Sequence, residues 1–187
     1  FWKSITEEPN PEAEPTFDVQ IYTWDTADAL YLQPIKSLKL NYSGIVTLQY
    51  ALKRAIELIY QIEPRELGVT LMGDSDNPNI FIYEAAQGSL GILSQIVEEH
   101  GAFQRIVAKA FEICRFTDES YKDPASYDDL LSYYNQRYHN DIDRAEIKEA
   151  LVMMEQADVE YGLKDNQVDY DSHYQSLINQ YDKNSST

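Results

Sequence analysis

The chain has 187 residues, of which 43% are hydrophobic and 12% aromatic, enough for one core and a small appendage. Its net charge of −17 excludes a surface that is basic throughout, as a sleeve around nucleic acid would be, and its simplest role is solubility. The single cysteine, Cys114, excludes an internal disulfide, and no apolar run reaches membrane-spanning length, so we expect an intracellular, cytoplasmic protein.

Composition divides the chain into three parts. Residues 1–16 form an acidic, proline-rich linker, and order is expected from residue 17 to residue 154. Residues 155–187 are an acidic helical or loop extension with seven carboxylates against two lysines, within which residues 171–181 can form a short helix. The chain begins without Met and ends on a polar run, so we expect it to be a piece of a larger protein.

Short apolar or alternating runs predict a small, mostly antiparallel sheet of four or more strands. Residues 17–24 and 29–33 flank a turn and are expected to pair as a hairpin. Residues 67–72 and 80–83 flank the turn residues 73–79 and are expected to form a second antiparallel pair.

Apolar residues at helical spacing predict about five to six helices, so the fold class is α+β. Ser43, Ser126 and Asp143 are the expected N-caps of three of these helices, and Pro64 ends the first. The helices are predicted at 44–62, 89–99, 102–115, about 127–137, after Asp143, and 171–181.

The sequence contains no Gly-x-x-x-x-Gly-Lys-Ser/Thr motif, and we predict no catalytic residues. The Gly88-Ser89-Leu90-Gly91 turn before a helix could bind an anion, but close packing of the helix is the more common role of such glycines. Asp74, Asp76 and Glu84 could hold a metal in a hydrolase, although carboxylates in turns are usually solvated.

The histidines and the cysteine give weak signals for chemistry. His100, His139 and His173 have no neighbouring ligand at the spacing that zinc sites use. Cys114 falls on the apolar side of its helix, where a buried, inert thiol is more common than a nucleophile.

Residues 126–139 form the most distinctive stretch, because four tyrosines alternate with amide and basic side chains. Such groups can stack on and hydrogen-bond to nucleic-acid bases, and we assign possible DNA contacts to Asn135, Gln136, Arg137, His139 and Arg144. Neighbouring aspartates oppose DNA binding, and the chemistry by itself favours a network of satisfied polar groups that supports the fold.

Residues 126–139, followed by Ile142-Asp143-Arg144, resemble the end of the MrfA-like zinc-binding domain, whose pattern is Cys-Tyr-x-Cys-Leu, Ser-Tyr, Asn-Gln, His and Leu-Asp-Arg. Residues 82–84 and 87–91 resemble the strand, acidic residue and glycine turn of that family, and residues 25–30 its opening strand pair. The resemblance extends over about residues 17–154.

The resemblance implies a structural zinc held by four cysteines. Here only Cys114 matches a ligand, and Phe116, Ser126 and Asp129 stand at the other three positions. We therefore expect a degenerate site without metal, in which packing around Phe116, Tyr127, Leu130 and Leu131 replaces the zinc.

The family's context implies a non-catalytic accessory domain that supports the motor lobes of a DEAD/DEAH-box helicase-like protein in cis and engages DNA. No cofactor is expected in this chain, whereas ATP and Mg²⁺ belong to the parent's motor. The alternative is an interaction module of a phage-defence complex, whose acidic tail meets a basic partner.

Overall fold

The computed structural model describes residues 26–73, 78–86 and 90–157. Strands and helices combine into one α+β arrangement, which confirms the predicted fold class. Three short 3-10 helices supplement the regular elements, at Lys36–Leu38, Tyr133–Asp141 and Arg144–Ile147. The other elements are β1 (Ala29–Leu32), α1 (Tyr42–Tyr60), β2 (Leu67–Met72), β3 (Asn79–Glu84), α2 (Ile92–Glu98), α3 (Ala102–Ile113) and α4 (Lys148–Glu155).

The sheet has the strand order β1-β3-β2, and both pairs are antiparallel. The β2–β3 pair confirms the second predicted hairpin, with Leu67 opposite Glu84 and Met72 opposite Asn79. The predicted strand 17–24 lies outside the described residues, and β1 pairs with β3. The described residues form three strands, fewer than the four or more that were expected.

Helix α1 is the centre of the molecule. Its residues from Gly44 to Ala51 are all buried, and it contacts β2, β3, α3 and the two later 3-10 helices. Leu67, Ile80 and Ile82 of the sheet belong to the same core. A helix that is buried on most of its circumference needs partners on several sides, and the later elements supply them.

The predicted N-cap of α1 is wrong. Asn41 caps the helix, because its Oδ1 accepts a 2.7 Å hydrogen bond from the backbone N–H of Gly44. Ser43 instead donates from its hydroxyl to the carbonyl oxygen of Asp141, at 2.7 Å. A hydroxyl adjacent to a helix start therefore serves a tertiary contact that the local sequence does not reveal.

The start of helix α2 is hydrogen-bonded to the carboxylate of Glu84, the last residue of β3. Glu84 is buried and accepts hydrogen bonds from the backbone N–H groups of Leu90, Gly91 and Leu93. Gly91 adopts a φ of 71°, in the left-handed region that favours glycine. The acidic side chain thus satisfies helix N–H groups that would otherwise lack an intrahelical acceptor.

Helices α3 and α4 pack against each other, and α3 also packs on α1. The helices predicted at 89–99, 102–115 and after Asp143 are confirmed, with Asp143 capping the 3-10 helix that runs directly into α4. Residues 171–181, where a last helix was predicted, lie outside the described residues. None of the described helices combines the length and apolar character needed to cross a bilayer.

The helix predicted at 127–137 is wrong. Residues 127–130 form turns, and a 3-10 helix follows at Tyr133–Asp141. The cause is competition for the backbone, because Asp129 accepts hydrogen bonds from the N–H groups of Ser126 and Leu130. Short polar side chains that bind nearby backbone groups in this way stabilise turns at the expense of helices.

Replacing Glu84 by Ala should lower the free energy of unfolding by about 2–4 kcal/mol, because three backbone donors lose a charged acceptor. The matched control is Glu63→Ala, since Glu63 is exposed and pairs with an equally exposed Arg65, and we expect a change below about 0.5 kcal/mol. Urea denaturation followed by circular dichroism measures both. Equal losses in the two variants would contradict the structural role of Glu84.

Candidate functional site

The four positions that the resemblance relates to zinc lie around the C-terminal end of α3. Cys114, the C-cap of α3, is fully buried, and Asp129 is also buried. Burial, and secondarily the charge of Asp129, raises the pKa of the Cys114 thiol to about 12. The ring of Phe116 packs on Phe111 with centroids 4.9 Å apart.

These residues do not fit a zinc ion. Phe116 offers no donor atom, and the Ser126 hydroxyl already donates to the Asp129 carboxylate at 2.7 Å. Both oxygens of Asp129 accept internal hydrogen bonds, from the Tyr121 hydroxyl and from Ser126 among others. A structural zinc site needs four donor side chains, whereas the described residues contain no group of three or more His, Cys, Asp or Glu that could hold a metal.

The expected replacement of zinc by packing is only partly correct. Leu130 is buried, and Phe116 and Leu131 pack against the core. Tyr127 was expected in this cluster, but its ring is 65% exposed. The Tyr127 side chain instead lies on the surface next to His139. The two rings meet edge to face, with their centroids 5.5 Å apart.

A groove of about 230 Å³ lies between α1 and the segment from Tyr127 to Asn135. The exposed fractions of the Tyr127, Tyr133 and Tyr134 side chains are 65%, 76% and 63%. The rings of Tyr133 and Tyr134 meet edge to face at 5.9 Å. Three exposed aromatic rings around one groove are a surface on which planar groups can stack.

Helix α1 supplies the charged wall of this groove. Lys53 forms an ion pair with Glu57 and donates to the carbonyl oxygen of Pro64 at 2.8 Å. Arg54 approaches the other carboxylate oxygen of Glu57 at 3.2 Å, and its side chain is 40% exposed. Two cations thus share one carboxylate, so the wall is weakly positive although the chain is strongly acidic.

Two of the five side chains predicted to contact DNA already form hydrogen bonds within the protein. Asn135 is buried, with its Oδ1 accepting from the Ser132 N–H and its amide donating to the Leu130 carbonyl, both at 2.8 Å. His139 Nε2 lies 3.1 Å from the Ser132 carbonyl and 3.0 Å from Asn135 Oδ1. Both partners are acceptors, so this nitrogen carries the proton. These contacts agree with the network of satisfied polar groups that the residue types at 126–139 favoured.

The other three residues differ in exposure. Arg144 is half-buried and donates from its guanidinium to four backbone carbonyls, of Cys114, Arg115, Tyr121 and Asp123. Gln136 and Arg137 are exposed. Of the five, these two are therefore the side chains that a ligand can reach most easily.

Arg137 is connected to the groove through the rings of Tyr138 and Tyr50. Its guanidinium lies 4.7 Å from the ring centroid of Tyr138, which packs 5.8 Å from the ring of Tyr50 on α1. Tyr50 lines the groove, and burial, followed by the nearby Tyr138, raises its pKa to about 12. The guanidinium is thus held over the ring of Tyr138, which contacts a residue of the groove lining.

The remaining sequence candidates do not form a second site in the described part of the chain. The N–H groups of Leu90 and Gly91, where an anion could have bound, donate instead to the carboxylate of Glu84. These bonds also occupy Glu84, which was a candidate metal ligand. Asp74, Asp76, Gly88, Ser89 and His173 lie outside the described residues.

Residues 48–118 match the family model of the MrfA Zn-binding domain, which confirms the resemblance found in the sequence. The match runs from α1 to just beyond α3 and includes Cys114 and Phe116. Ser126, Asp129 and the closing motif lie beyond it, so the wider extent over residues 17–154 stays a prediction. No curated protein and no solved structure matches the chain significantly.

The sequence reasoning missed the α1 wall of the groove and the role of Tyr121. Lys53 and Glu57 are four residues apart, a spacing that places them together on a helix and could have revealed their ion pair. No local signal could have revealed Tyr121, because its partners are Asp129 and Arg144.

The raised pKa of Tyr50 predicts a loss of stability at high pH. The folded chain keeps this proton up to about pH 12, whereas an unfolded tyrosine releases it near pH 10, so the free energy of unfolding should fall between these values. Tyr50→Phe should remove part of that fall, at most about 1.4 kcal/mol per pH unit. Urea denaturation between pH 9 and 12 measures the slope, with the exposed Tyr133→Phe as control. A slope unchanged by Tyr50→Phe would contradict this assignment.

Proposed function

We propose that this chain is a non-catalytic accessory domain of a DEAD/DEAH-box helicase-like protein, which supports the motor lobes in cis and engages DNA. The family match supports the accessory role, and the sequence contains no phosphate-binding loop of the NTPase type. ATP and Mg²⁺ act in the motor lobes of the parent protein, and the proposed location is the cytoplasm.

The proposal that the chain binds DNA is based on the groove lined by Tyr127, Tyr133 and Tyr134. Tyr133 and Tyr134 present exposed rings on which bases can stack, as single-strand binding proteins do. Arg54 and Arg137 flank the groove with positive charge, and Gln136 adds an exposed amide. Bases in a duplex are already stacked, so this chemistry favours a single strand.

Few cations face the groove, which limits the strength of binding. Glu57 and Asp129 line the groove together with Lys53 and Arg54, so the charges of the lining balance, and the chain as a whole repels phosphates. Stacking should therefore contribute more than phosphate contacts, and binding should depend weakly on salt.

Replacing Tyr133 or Tyr134 by Ala should weaken the binding of fluorescent single-stranded DNA about 5- to 150-fold, the loss expected for one stacked base. Fluorescence anisotropy measures the affinity, and circular dichroism checks the fold. Tyr31→Ala is the control, because Tyr31 is a partly exposed ring on β1. Equal affinities of all three variants and the original chain would exclude the groove as the DNA site.

Arg137→Ala should weaken binding about 3- to 10-fold and reduce the slope of log affinity against log salt by about one, as expected for the loss of a phosphate contact. Arg105→Ala removes an exposed guanidinium on α3, a helix that contributes no residue to the groove lining, and should change neither the affinity nor the salt slope. A salt slope that is the same in both variants would place Arg137 outside the DNA contact.

The strong acidity of the chain favours a second candidate function, an interaction module of a phage-defence complex that binds a basic partner protein. The two functions differ in the full-length protein. Unchanged DNA binding by Arg137→Ala together with loss of a co-purifying partner favours the interaction module. Lost DNA binding and unwinding, with the fold intact, favours the accessory domain.

A further inference from the structure

We propose that Asp129, Tyr121 and Arg144 form a polar clamp that holds the corner where the related domains bind zinc, and that this chain folds without a metal. The corner consists of the end of α3 at Cys114, the connector 115–125 and the turn 126–130. A structural zinc crosslinks segments that are distant in sequence. The clamp crosslinks the same segments by hydrogen bonds. This proposal does not depend on the proposed binding of DNA.

Asp129 holds the turn. Its carboxylate accepts from the N–H of Ser126 at 2.6 Å, from the Ser126 hydroxyl at 2.7 Å, and from the N–H of Leu130. It also accepts from the hydroxyl of Tyr121, in the connector. A buried carboxylate is stable only when its lone pairs are satisfied, and these four donors satisfy both oxygens.

Arg144 holds the connector against the end of α3. Its guanidinium donates to the carbonyls of Cys114 at 2.9 Å, Tyr121 at 2.6 Å and Asp123 at 2.9 Å, with a longer contact to Arg115. The last carbonyls of a helix carry partial negative charge, so a guanidinium there is favourable. The rigid fork of Arg reaches several carbonyls at once, which the ammonium of Lys cannot do.

Tyr121 joins the two charged groups. Its hydroxyl binds Asp129, its carbonyl binds Arg144, and its ring lies 4.3 Å from the guanidinium carbon of Arg115 and 4.5 Å from that of Arg144. One residue of the connector thus touches the anion and the cation of the clamp. Removing Asp129 would take the acceptor from the Tyr121 hydroxyl and from two backbone N–H groups, and removing Arg144 would take the donor from the Tyr121 carbonyl.

Packing completes the corner at the position where the family has another cysteine. The Phe116 ring contacts Phe111 and lies 5.6 Å from the guanidinium carbon of Arg144. A cysteine restored at any single one of the three altered positions would therefore meet a filled site with one thiol, Cys114, as its only sulfur partner.

The first experiment measures metal and chelator sensitivity of the purified chain. Elemental analysis should find less than about 0.1 zinc per chain, and excess EDTA should leave the melting temperature unchanged within about 1 °C, because no bound metal contributes to folding. One zinc per chain, together with a melting temperature that EDTA lowers, would overturn the proposal.

The second experiment removes the clamp residues. Asp129→Ala should lower the melting temperature by about 6–12 °C, because several charge-assisted hydrogen bonds are lost together. Asp128→Ala is the matched control, since Asp128 is exposed and adjacent in sequence, and it should shift the melting temperature by less than about 2 °C.

If Asp129→Ala does not fold, two milder variants, Tyr121→Phe and Arg144→Lys, test the clamp. Tyr121→Phe removes only one hydroxyl, and Arg144→Lys keeps the charge but loses the fork, so each should lower the melting temperature by about 2–6 °C. Zinc added to any of these variants should not restore the melting temperature of the original chain. Melting temperatures equal to that of the original chain, or rescue by zinc, would refute the clamp.

Discussion

The burial of α1 on several sides is the constraint on which the rest of the structure depends. Its apolar residues from Ile45 to Ile56 need cover from the sheet on one side and from α3 on another. The 3-10 helices between Tyr133 and Ile147 cover what remains, and Ser43 and Thr47 of α1 form hydrogen bonds to that segment. The groove lies where the segment from Tyr127 to Asn135 runs along the polar side chains of Lys53, Arg54 and Glu57 on α1.

Side chains that accept backbone hydrogen bonds recur at the junctions between elements. Glu84 binds the start of α2, Asp129 binds the turn that follows the connector, and the Oδ1 of Asn135 accepts from Ser132 just before the next 3-10 helix. Each of these side chains satisfies at least one backbone N–H donor. Satisfied polar groups thus keep irregular segments in place beside the hydrophobic core.

The candidate site was predictable in composition but not in arrangement. The run of tyrosines and polar residues at 126–139 indicated a segment that the structure places along the groove, and Gln136 and Arg137 are exposed there. Asn135 and Arg144 looked equally available in the sequence, yet their hydrogen bonds to Leu130 and Cys114 place them in the fold. The partners of Arg144 lie 21 to 30 residues away along the chain, so no local pattern could have revealed that its guanidinium faces the backbone.

The sequence by itself determined the α+β class, the helix at 44–62 and the β2–β3 hairpin, because apolar periodicity and turn residues act over a few neighbours. It also revealed the resemblance that the family match confirms. Only the tertiary structure decided the contact of Ser43 with Asp141 and the meeting of Tyr121 with Asp129 and Arg144. These features depend on hydrogen bonds between segments that the fold brings together, and local propensity carries no information about such partners.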